Sequence, residues 1–457
     1  MIRSVNRRSR ALAAVGLLTA FSALAAACGD DGGDSAATTA AATETTAAAT
    51  TTAAADGATT TAAAGATTTA AAAAKPTGDP VVIGLVTALT GPSSSSYSPY
   101  GGNVAAAWEA WVNDKMGGVG GRPVKIVIED SAGQAAQAQT AVKKLVEESK
   151  AIAIIVNDTT SETAISEYTA ANNIPVIGGS TNAAAIWLGK PNYFMLGMTN
   201  PVSSAGGMFA AKQNGATNFG AAVCAEVPAC AEAGKLYTAL SAQIPGGGLP
   251  FGGLVTAAAT APNYTAECLS LIEKKVDWIQ LGMSIAPGLK LAAECVKQGY
   301  TGQFGATNQS IAGPPLEAVA GLKFGGNVSF FPWFADSPAA KNFRDVMETY
   351  KKGEPYASMA GTTLWTSLEL FRKTMKTAPK TSAEVMTAYQ GIKDETLDGL
   401  LPAPITFSAT APSPAIGCYW VVKLEGGKWS TVAPAAGASG NKMTDGLATQ
   451  CFVPKLG

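Results

Sequence analysis

The chain has 457 residues, of which 47% are hydrophobic and 14% are charged, and its formal net charge is −1. A nucleic-acid-binding protein carries a basic patch or stripe, so the near-zero net charge argues against that class. The sequence contains no histidine, which excludes Ser-His-Asp and Cys-His catalysis and the commonest zinc sites.

The first 27 residues have the features of an export signal. Four arginines between residues 3 and 10 precede the apolar stretch ALAAVGLLTAFSALAAA, which is too short and wrongly flanked for a lasting transmembrane helix. The stretch ends in LAAAC at Cys28 and resembles the lipobox of bacterial lipoproteins, in which the cysteine becomes the lipidated N-terminus. An ordinary secretory signal with an incidental cysteine is the alternative. We therefore expect a cell-membrane protein, lipid-anchored at Cys28 on the extracytoplasmic face.

Residues 28–79 form a segment of low complexity, made almost wholly of Ala, Thr, Gly and Asp after Cys28. Such a composition cannot bury enough apolar surface to offset the entropy lost on ordering. We expect a disordered tether, with a root-mean-square reach on the order of 40 Å for a flexible chain of this length.

From Val81 onward, short apolar runs alternate with helical stretches such as GGNVAAAWEAWVNDK and QAAQAQTAVKKLVEES. The runs that predict strands are, in chain order, VVIGLVTAL, VKIVIED, AIAIIV, IPVIGG, NFGAAVC, GGLVTAAA, VDWIQLGM and GQFGAT. This alternation is typical of parallel sheets that helices cover on both faces, joined by right-handed crossovers. The predicted fold class is therefore α/β.

Small polar residues follow several of the predicted strands. The clearest cases are VNDTTS at 156–161 and GGSTN at 178–182, and GATNQS at 305–310 occupies an equivalent place. Ligands of open α/β sheets bind outside the carboxyl ends of the strands, and helix N-termini there favour anions. The loops thus predict a ligand site, although Thr159-x-x-Glu162 also reads as a capping box, which needs no ligand.

Six cysteines follow Cys28. An even number in an exported chain indicates disulfides, and six cysteines allow 15 connectivities. Buried free thiols are the alternative. Sequence proximity and local context favour the pairs Cys224–Cys230, Cys268–Cys295 and Cys418–Cys451.

The order of these pieces, from residue 80 to about residue 450, resembles the branched-chain amino-acid substrate-binding proteins of ABC transporters. The most specific stretch is WVNDKMGGVGGRPVKIVIEDSAGQAAQAQTAVKKLV, and GLVTALTGP and NNIPVIGGSTN are also similar. The resemblance implies the type I periplasmic binding fold, which has two doubly wound parallel-sheet lobes joined by a three-crossing hinge. It assigns residues 80–199 and 330–398 to lobe 1, and residues 200–329 and 399–457 to lobe 2.

The resemblance also implies which residues contact a ligand in the cleft between the lobes. Thr159 and Thr160 match the hydroxyls that hold the ligand's carboxylate, and Ser180 and Thr181 match a second such pair. Tyr100 matches an aromatic residue of the first lobe beside the ligand. Trp333 lies near an expected hinge crossing and is either a wall of the cleft or a core aromatic.

One position departs from the family pattern. The acid that takes a ligand's α-ammonium group should fall near GATNQ, where this chain has Asn308, and a neutral amide gives no charge pairing. Glu226 or Asp158 could replace the missing acid, and the choice stays open. The ligand is therefore either an amino acid or another compound, such as an amide, a urea-like compound or an organic acid.

Taken together, these features predict a non-enzymatic solute-binding lipoprotein that delivers a small polar ligand to an ABC permease complex. A ligand-sensing protein of the same fold, signalling to a membrane partner, is the alternative. We expect a monomer without cofactor, metal or nucleic acid.

Overall fold

The computed structural model describes residues 74–226, 230, 232–306, 308–434, 440 and 447–455. The predicted signal peptide (1–27), Cys28 and residues 28–73 of the predicted tether lie outside the described residues. The end of the predicted tether is attached to the folded part. Thr77 N donates to Gly121 O at 3.0 Å, and Arg122 Nε donates to Asp79 O at 2.6 Å.

A five-stranded parallel sheet forms the centre of the first lobe, with the strand order β2-β1-β3-β4-β5. Its strands are β1 Val81–Thr87, β2 Val124–Asp130, β3 Ala153–Val156, β4 Val176–Gly179 and β5 Tyr193–Phe194. The central strands β1, β3 and β4 are almost entirely buried, as expected of a parallel sheet covered on both faces.

An eight-stranded sheet forms the second lobe, with the order β12-β11-β10-β9-β8-β6-β7 and β13 paired to β11. Its strands are β6 Phe219–Cys224, β7 Phe251–Ala257, β8 Trp278–Gly282, β9 Gln303–Ala306, β10 Phe324–Val328, β11 Cys418–Glu425, β12 Lys428–Val432 and β13 Gln450–Cys451. Strands β6 to β10 are parallel, whereas β11, β12 and β13 pair antiparallel. The strand–helix alternation of the sequence did not predict this antiparallel part.

The α-helices lie mainly between the strands, and residues 144–148, 308–310 and 397–399 form further short helical turns. The α-helices are α1 Ser94–Lys115, α2 Ala135–Lys143, α3 Thr159–Ala164, α4 Ser166–Ala171, α5 Ala184–Trp187, α6 Asn200–Gln213, α7 Ala233–Ser241, α8 Thr265–Glu273, α9 Ile285–Lys297, α10 Gly313–Glu317, α11 Pro338–Tyr350, α12 Met359–Thr374 and α13 Ser382–Gln390. Helix α1 begins seven residues before the helical stretch in the sequence (94 against 101), with Pro99 inside it.

The chain passes between the two sheets three times. It leaves the first sheet after β5, returns after β10 to form α11 and α12, which pack on α1 and β4, and enters the second sheet again at β11. Hydrogen bonds join the passing segments: Met195 N donates to Ser413 Oγ at 3.0 Å, and Met198 N donates to Ser329 Oγ at 3.4 Å. The predicted α/β architecture with two lobes and three crossings is confirmed.

All three predicted disulfides are present, so the alternative of free thiols is wrong. Cys268 of α8 and Cys295 of α9 join the two helices that precede and follow β8. Cys418 and Cys451 join β11 to β13 and thereby fix the C-terminal segment to the second sheet.

Candidate ligand-binding site

The N-terminal part of α1 in the first lobe contacts the N-terminus of α9 in the second. Ile285 N donates to Ser96 Oγ at 3.2 Å and Ala286 N donates to Ser95 Oγ at 3.3 Å. Ser284 Oγ also donates to Pro92 O at 3.0 Å. We call the space between α1, the loops after β3 and β4, and the turn 308–310 the cleft.

Two tyrosines of α1 lie at this contact. Tyr97 and Tyr100 are buried in one apolar cluster with Ile285 and Ala312 of the second lobe. Burial raises the pKa of Tyr100 to about 12, so its hydroxyl stays protonated at neutral pH. Tyr100 therefore lies at the contact between the lobes, and its contact with a ligand stays a prediction.

Helix α3 follows β3 and begins with Thr159 and Thr160, which are half-buried. Its N-cap is Asp158, not the Thr159 of a capping box, because the Asp158 carboxylate accepts Ser161 N at 2.9 Å. The same carboxylate accepts Ser161 Oγ at 2.6 Å and Ser131 Oγ at 2.8 Å. Burial raises the pKa of Asp158, against these hydrogen bonds and one from the Thr160 amide.

Glu162, one turn further along α3, is completely buried beside the loop that follows β4. Its carboxylate accepts hydrogen bonds from four groups of residues 180–187. These donors are Ser180 Oγ, Asn182 N at 3.0 Å, Ala183 N at 2.6 Å and Trp187 Nε1 at 2.8 Å. Burial raises the pKa of Glu162 to about 7, although the four donors act in the opposite direction.

The hydroxyls predicted to hold a ligand's carboxylate thus have partners inside the protein. Ser180 Oγ donates to Glu162, and Thr181 Oγ1 donates to Met198 O at 3.1 Å. Asn182 Nδ2 donates to Thr159 Oγ1 at 2.8 Å, which ties the two loops together. The sequence analysis did not predict that Asp158 and Glu162 accept hydrogen bonds from these hydroxyls and amides. The signal available for it was that the two acids flank the hydroxyl residues 159–161.

In the second lobe, Asn308 follows β9 and is buried. Its Oδ1 accepts Ser329 N at 3.2 Å, while its Nδ2 has no hydrogen-bond partner among the described residues. Glu226 accepts Ala259 N at 2.6 Å and Ala225 N at 3.1 Å. Trp333 is buried in an aromatic cluster with Phe334 and Trp429, and the choice between a wall of the cleft and a core aromatic stays open.

Several other polar side chains near the cleft are buried without a hydrogen-bond partner in the described part of the chain. Asn157, at the end of β3, has neither Oδ1 nor Nδ2 paired, and both side-chain atoms of Gln309 are likewise unpaired. The hydroxyls of Thr87, at the end of β1, and Thr363, in α12, complete this set. An unpaired buried polar group costs free energy, so native groups of this kind need an explanation.

Within the described ranges, no group of three or more Cys, Asp or Glu side chains is placed to hold a metal ion. None of the described helices has both the length and the hydropathy needed to cross a bilayer.

Solved structures with this fold include three ABC-transporter or amino-acid-binding proteins. A leucine-binding protein from Thermotoga maritima is 18% identical with a TM-score of 0.61, over 77% of this chain and 98% of its own. A fatty acid ABC transporter substrate-binding protein from Thermomonospora curvata is 20% identical with a TM-score of 0.62, over 79% and 94%. A Rhodopseudomonas palustris solute-binding protein in complex with benzoate is 17% identical with a TM-score of 0.62, over 78% and 96%.

At these identities the solved structures show a common fold. No curated protein sequence matches the chain. The family model described as periplasmic binding protein matches residues 80–428, which run from β1 through β11 and include all three crossings. That family consists of binding proteins, in agreement with the expectation that the chain is not an enzyme. The chain therefore belongs to the periplasmic binding protein family.

Proposed function

We propose that the protein is an extracytoplasmic solute-binding lipoprotein that captures a small polar ligand, an amino acid or an amide-like compound, and delivers it to an ABC importer. The observation that carries this proposal is the cleft of a periplasmic binding protein in which buried polar side chains from both lobes lack partners among the described residues. Tyr100, Thr159, Thr160 and Asn308 are the side chains that we place against the ligand. The contacts expected for Ser180, Thr181 and Trp333 also remain part of the proposal.

The first test is a thermal-shift screen of the purified protein. The panel holds aliphatic and polar amino acids, short amides, urea and simple carboxylic acids. A ligand that binds only the folded state raises the free energy of unfolding by mass action, by roughly 2.7 kcal/mol at a hundredfold excess over the dissociation constant. A panel without any response would contradict the proposal.

A pair of variants tests the placement of the ligand. Thr160→Ala removes a half-buried hydroxyl at the start of α3 and is expected to reduce the ligand-induced shift while the unliganded melting temperature stays close to that of the wild type. Thr238→Ala is the matched control, because its exposed hydroxyl donates only to Gly234 O within its own helix. Equal shifts in the two variants would place the ligand elsewhere.

The lipid anchor is tested separately by fractionation of the producing cells. Cys28→Ala is expected to move the protein from the membrane fraction to the soluble fraction, because the lipid is attached to that cysteine in the proposed lipoprotein. Retention of the variant in the membrane fraction would contradict the lipoprotein part of the proposal.

A further inference from the structure

Hydrogen-bond donors of α3 and of the loop after β4 are engaged by two of the protein's own carboxylates. The Asp158 carboxylate accepts a hydrogen bond from the Ser161 amide at the first turn of α3. The Glu162 carboxylate accepts hydrogen bonds from Ser180 Oγ and from the amides of residues 182 and 183. Neither acid forms a salt bridge with a described residue. A ligand carboxylate placed here would face two buried acids with no cation between them, and like charges at short range repel strongly where water is excluded.

The unpaired polar groups near the cleft are all neutral. Asn157 Nδ2 lies 3.6 Å from the position that a Cβ on Gly101 of α1 would occupy, so its amide faces α1. Helix α1 also contacts the turn formed by residues 308–310, which carries the unpaired Nδ2 of Asn308 and the unpaired amide of Gln309. Amides from the two lobes thus both lie in segments that contact α1.

These amides offer both donors and acceptors. Asn157 and Gln309 each present a carbonyl oxygen and an NH₂ group, and Asn308 presents an NH₂ group because its oxygen is already used by Ser329 N. The unpaired Oδ1 of Asn327 differs from these amides, because it lies beside Gly207 of α6 within the second lobe. The three amides of the cleft therefore complement a molecule that carries both N–H donors and a carbonyl acceptor.

We propose that the ligand is an uncharged compound of the amide or urea class, held by the amides of Asn157, Asn308 and Gln309, while Asp158 and Glu162 exclude carboxylates. This inference rests on the proposed function, because it assumes that the cleft binds a solute. It names the ligand class of that same site.

The test is a thermal-shift comparison of matched compounds with the purified protein. The probes are acetamide against acetate, isobutyramide against isobutyrate, 4-methylpentanamide against 4-methylpentanoate and leucine, and urea. The pH is set to about 8, above the pKa of about 7 that burial gives Glu162, so that the Glu162 carboxyl is mostly ionised. We expect shifts with neutral probes only, corresponding to a preference on the order of tenfold or more over the matched carboxylates.

Three outcomes are possible. If the neutral probes bind and the carboxylates do not, the result supports both the inference and the proposed function. Equal or tighter binding of a carboxylate or of leucine overturns the inference and leaves the proposed function standing. If no probe gives a shift, the result overturns both the inference and the proposed binding of a small polar solute.

Variants identify the residues responsible. Gln309→Ala is expected to lose the shift with neutral probes, whereas Gln298→Ala, an exposed glutamine of the same lobe, keeps it. If Gln309→Ala lowers the melting temperature without ligand, Gly101→Ala replaces it, because its methyl group stands at ordinary contact distance from the Asn157 amide. Unchanged binding in both variants overturns the assignment of the amides.

Asp158→Asn tests the exclusion of carboxylates. Asparagine is also a good N-cap, and its oxygen can accept Ser161 N while its NH₂ group faces the hydroxyls of Ser131 and Ser161, which can turn to accept. We expect the ratio of carboxylate to amide affinity to rise. An unchanged ratio, with the apo melting temperature preserved, contradicts the electrostatic exclusion.

Discussion

Glu162 is a buried acid whose neighbours are four neutral donors, of which three are N–H groups. Among these four donors, only Ser180 Oγ can reverse its hydrogen bond and accept one from the protonated acid. The amides of Asn182 and Ala183 and the indole of Trp187 can only donate. The side chain therefore holds the loop after β4 against α3 whether or not it is ionised. Its ionised form nevertheless carries the cost of burying a charge.

This cost predicts a specific pH dependence of stability. Burial raises the pKa of Glu162 from 4.5 to about 7, so the folded state binds more protons than the unfolded state between these values. Stability from this group is therefore greatest below pH 4.5 and declines as the pH rises to about 7, by on the order of 3 kcal/mol.

The measurement is the free energy of unfolding across this pH range for the wild type and for Glu162→Gln. The difference between the two proteins should change with pH, in favour of the variant as the pH rises. Glu167→Gln is the control, because this acid is exposed and pairs with Lys190 on the surface. A wild type and Glu162→Gln with parallel pH profiles would contradict the prediction.

The sequence shows which residues surround the site but not their partners. The hydroxyls of residues 159–161 and 180–181 were recognised, since they follow buried strands. Their engagement with Asp158 and Glu162 depends on the distance between α3 and the loop after β4, which are separated by about twenty residues in the chain. Local spacing cannot distinguish a capping box at Thr159 from a cap at Asp158, because both residue types are good N-caps.

At the scale of elements, the predicted strands lie within two residues of the observed ones, because buried parallel strands are continuous apolar runs. The sequence pattern did not predict the ends of elements that are set by packing and not by hydrophobic periodicity. The helical segment that follows β3 is divided at Ile165 into α3 and α4. The antiparallel strands β11 to β13 lie outside the strand–helix repeat, although the cysteine pair 418–451 correctly predicted that the C-terminal segment is attached.

The contact between α1 and α9 predicts an effect on lobe closure. Ser284, the N-cap of α9, does not cap the helix with its side chain, and Ser96 of the other lobe accepts the Ile285 amide instead. Ser96→Ala should therefore destabilise the closed arrangement by about 1 kcal/mol. Small-angle scattering and ligand titration are the measurements, with a larger radius of gyration and a several-fold weaker affinity expected.

Ser98→Ala is the matched control for this prediction. Ser98 is half-buried in the same helix, and its side chain makes no hydrogen bond to a described residue. Identical scattering and affinity in Ser96→Ala and the wild type would show that the hydrogen bond does not contribute to closure.

For the whole molecule, the first crossing lies against the loop that carries Thr181. A Cβ on Gly197 would stand 2.7 Å from Thr181 Oγ1 and 3.0 Å from Cζ of Phe330, which lies in the second crossing. Both neighbours are completely buried, so neither can move freely. Glycine at this position thus permits the loop and two crossings to pack together.

Gly197→Ala is expected to lower the free energy of unfolding by about 1–3 kcal/mol, the usual cost of overpacking. Gly102→Ala in α1 is the control, because its added methyl group meets no heavy atom within 4 Å apart from its chain neighbours and the adjacent helix backbone. Alanine also favours a helix by up to about 1 kcal/mol. Denaturant titration compares the two. A Gly197→Ala protein as stable as the wild type would refute this account of the crossing.

The serine contacts between α1 and α9 have a further consequence for the choice of ligand. They join the lobes without touching the Asn157, Asn308 or Gln309 amides, so they change only the fraction of molecules in the binding-competent arrangement. Observed affinity scales with that fraction for every ligand alike. Substitutions at Ser95 and Ser96 therefore change the ligand concentration at which the protein is half-saturated. The residues of the cleft still determine which ligands it prefers.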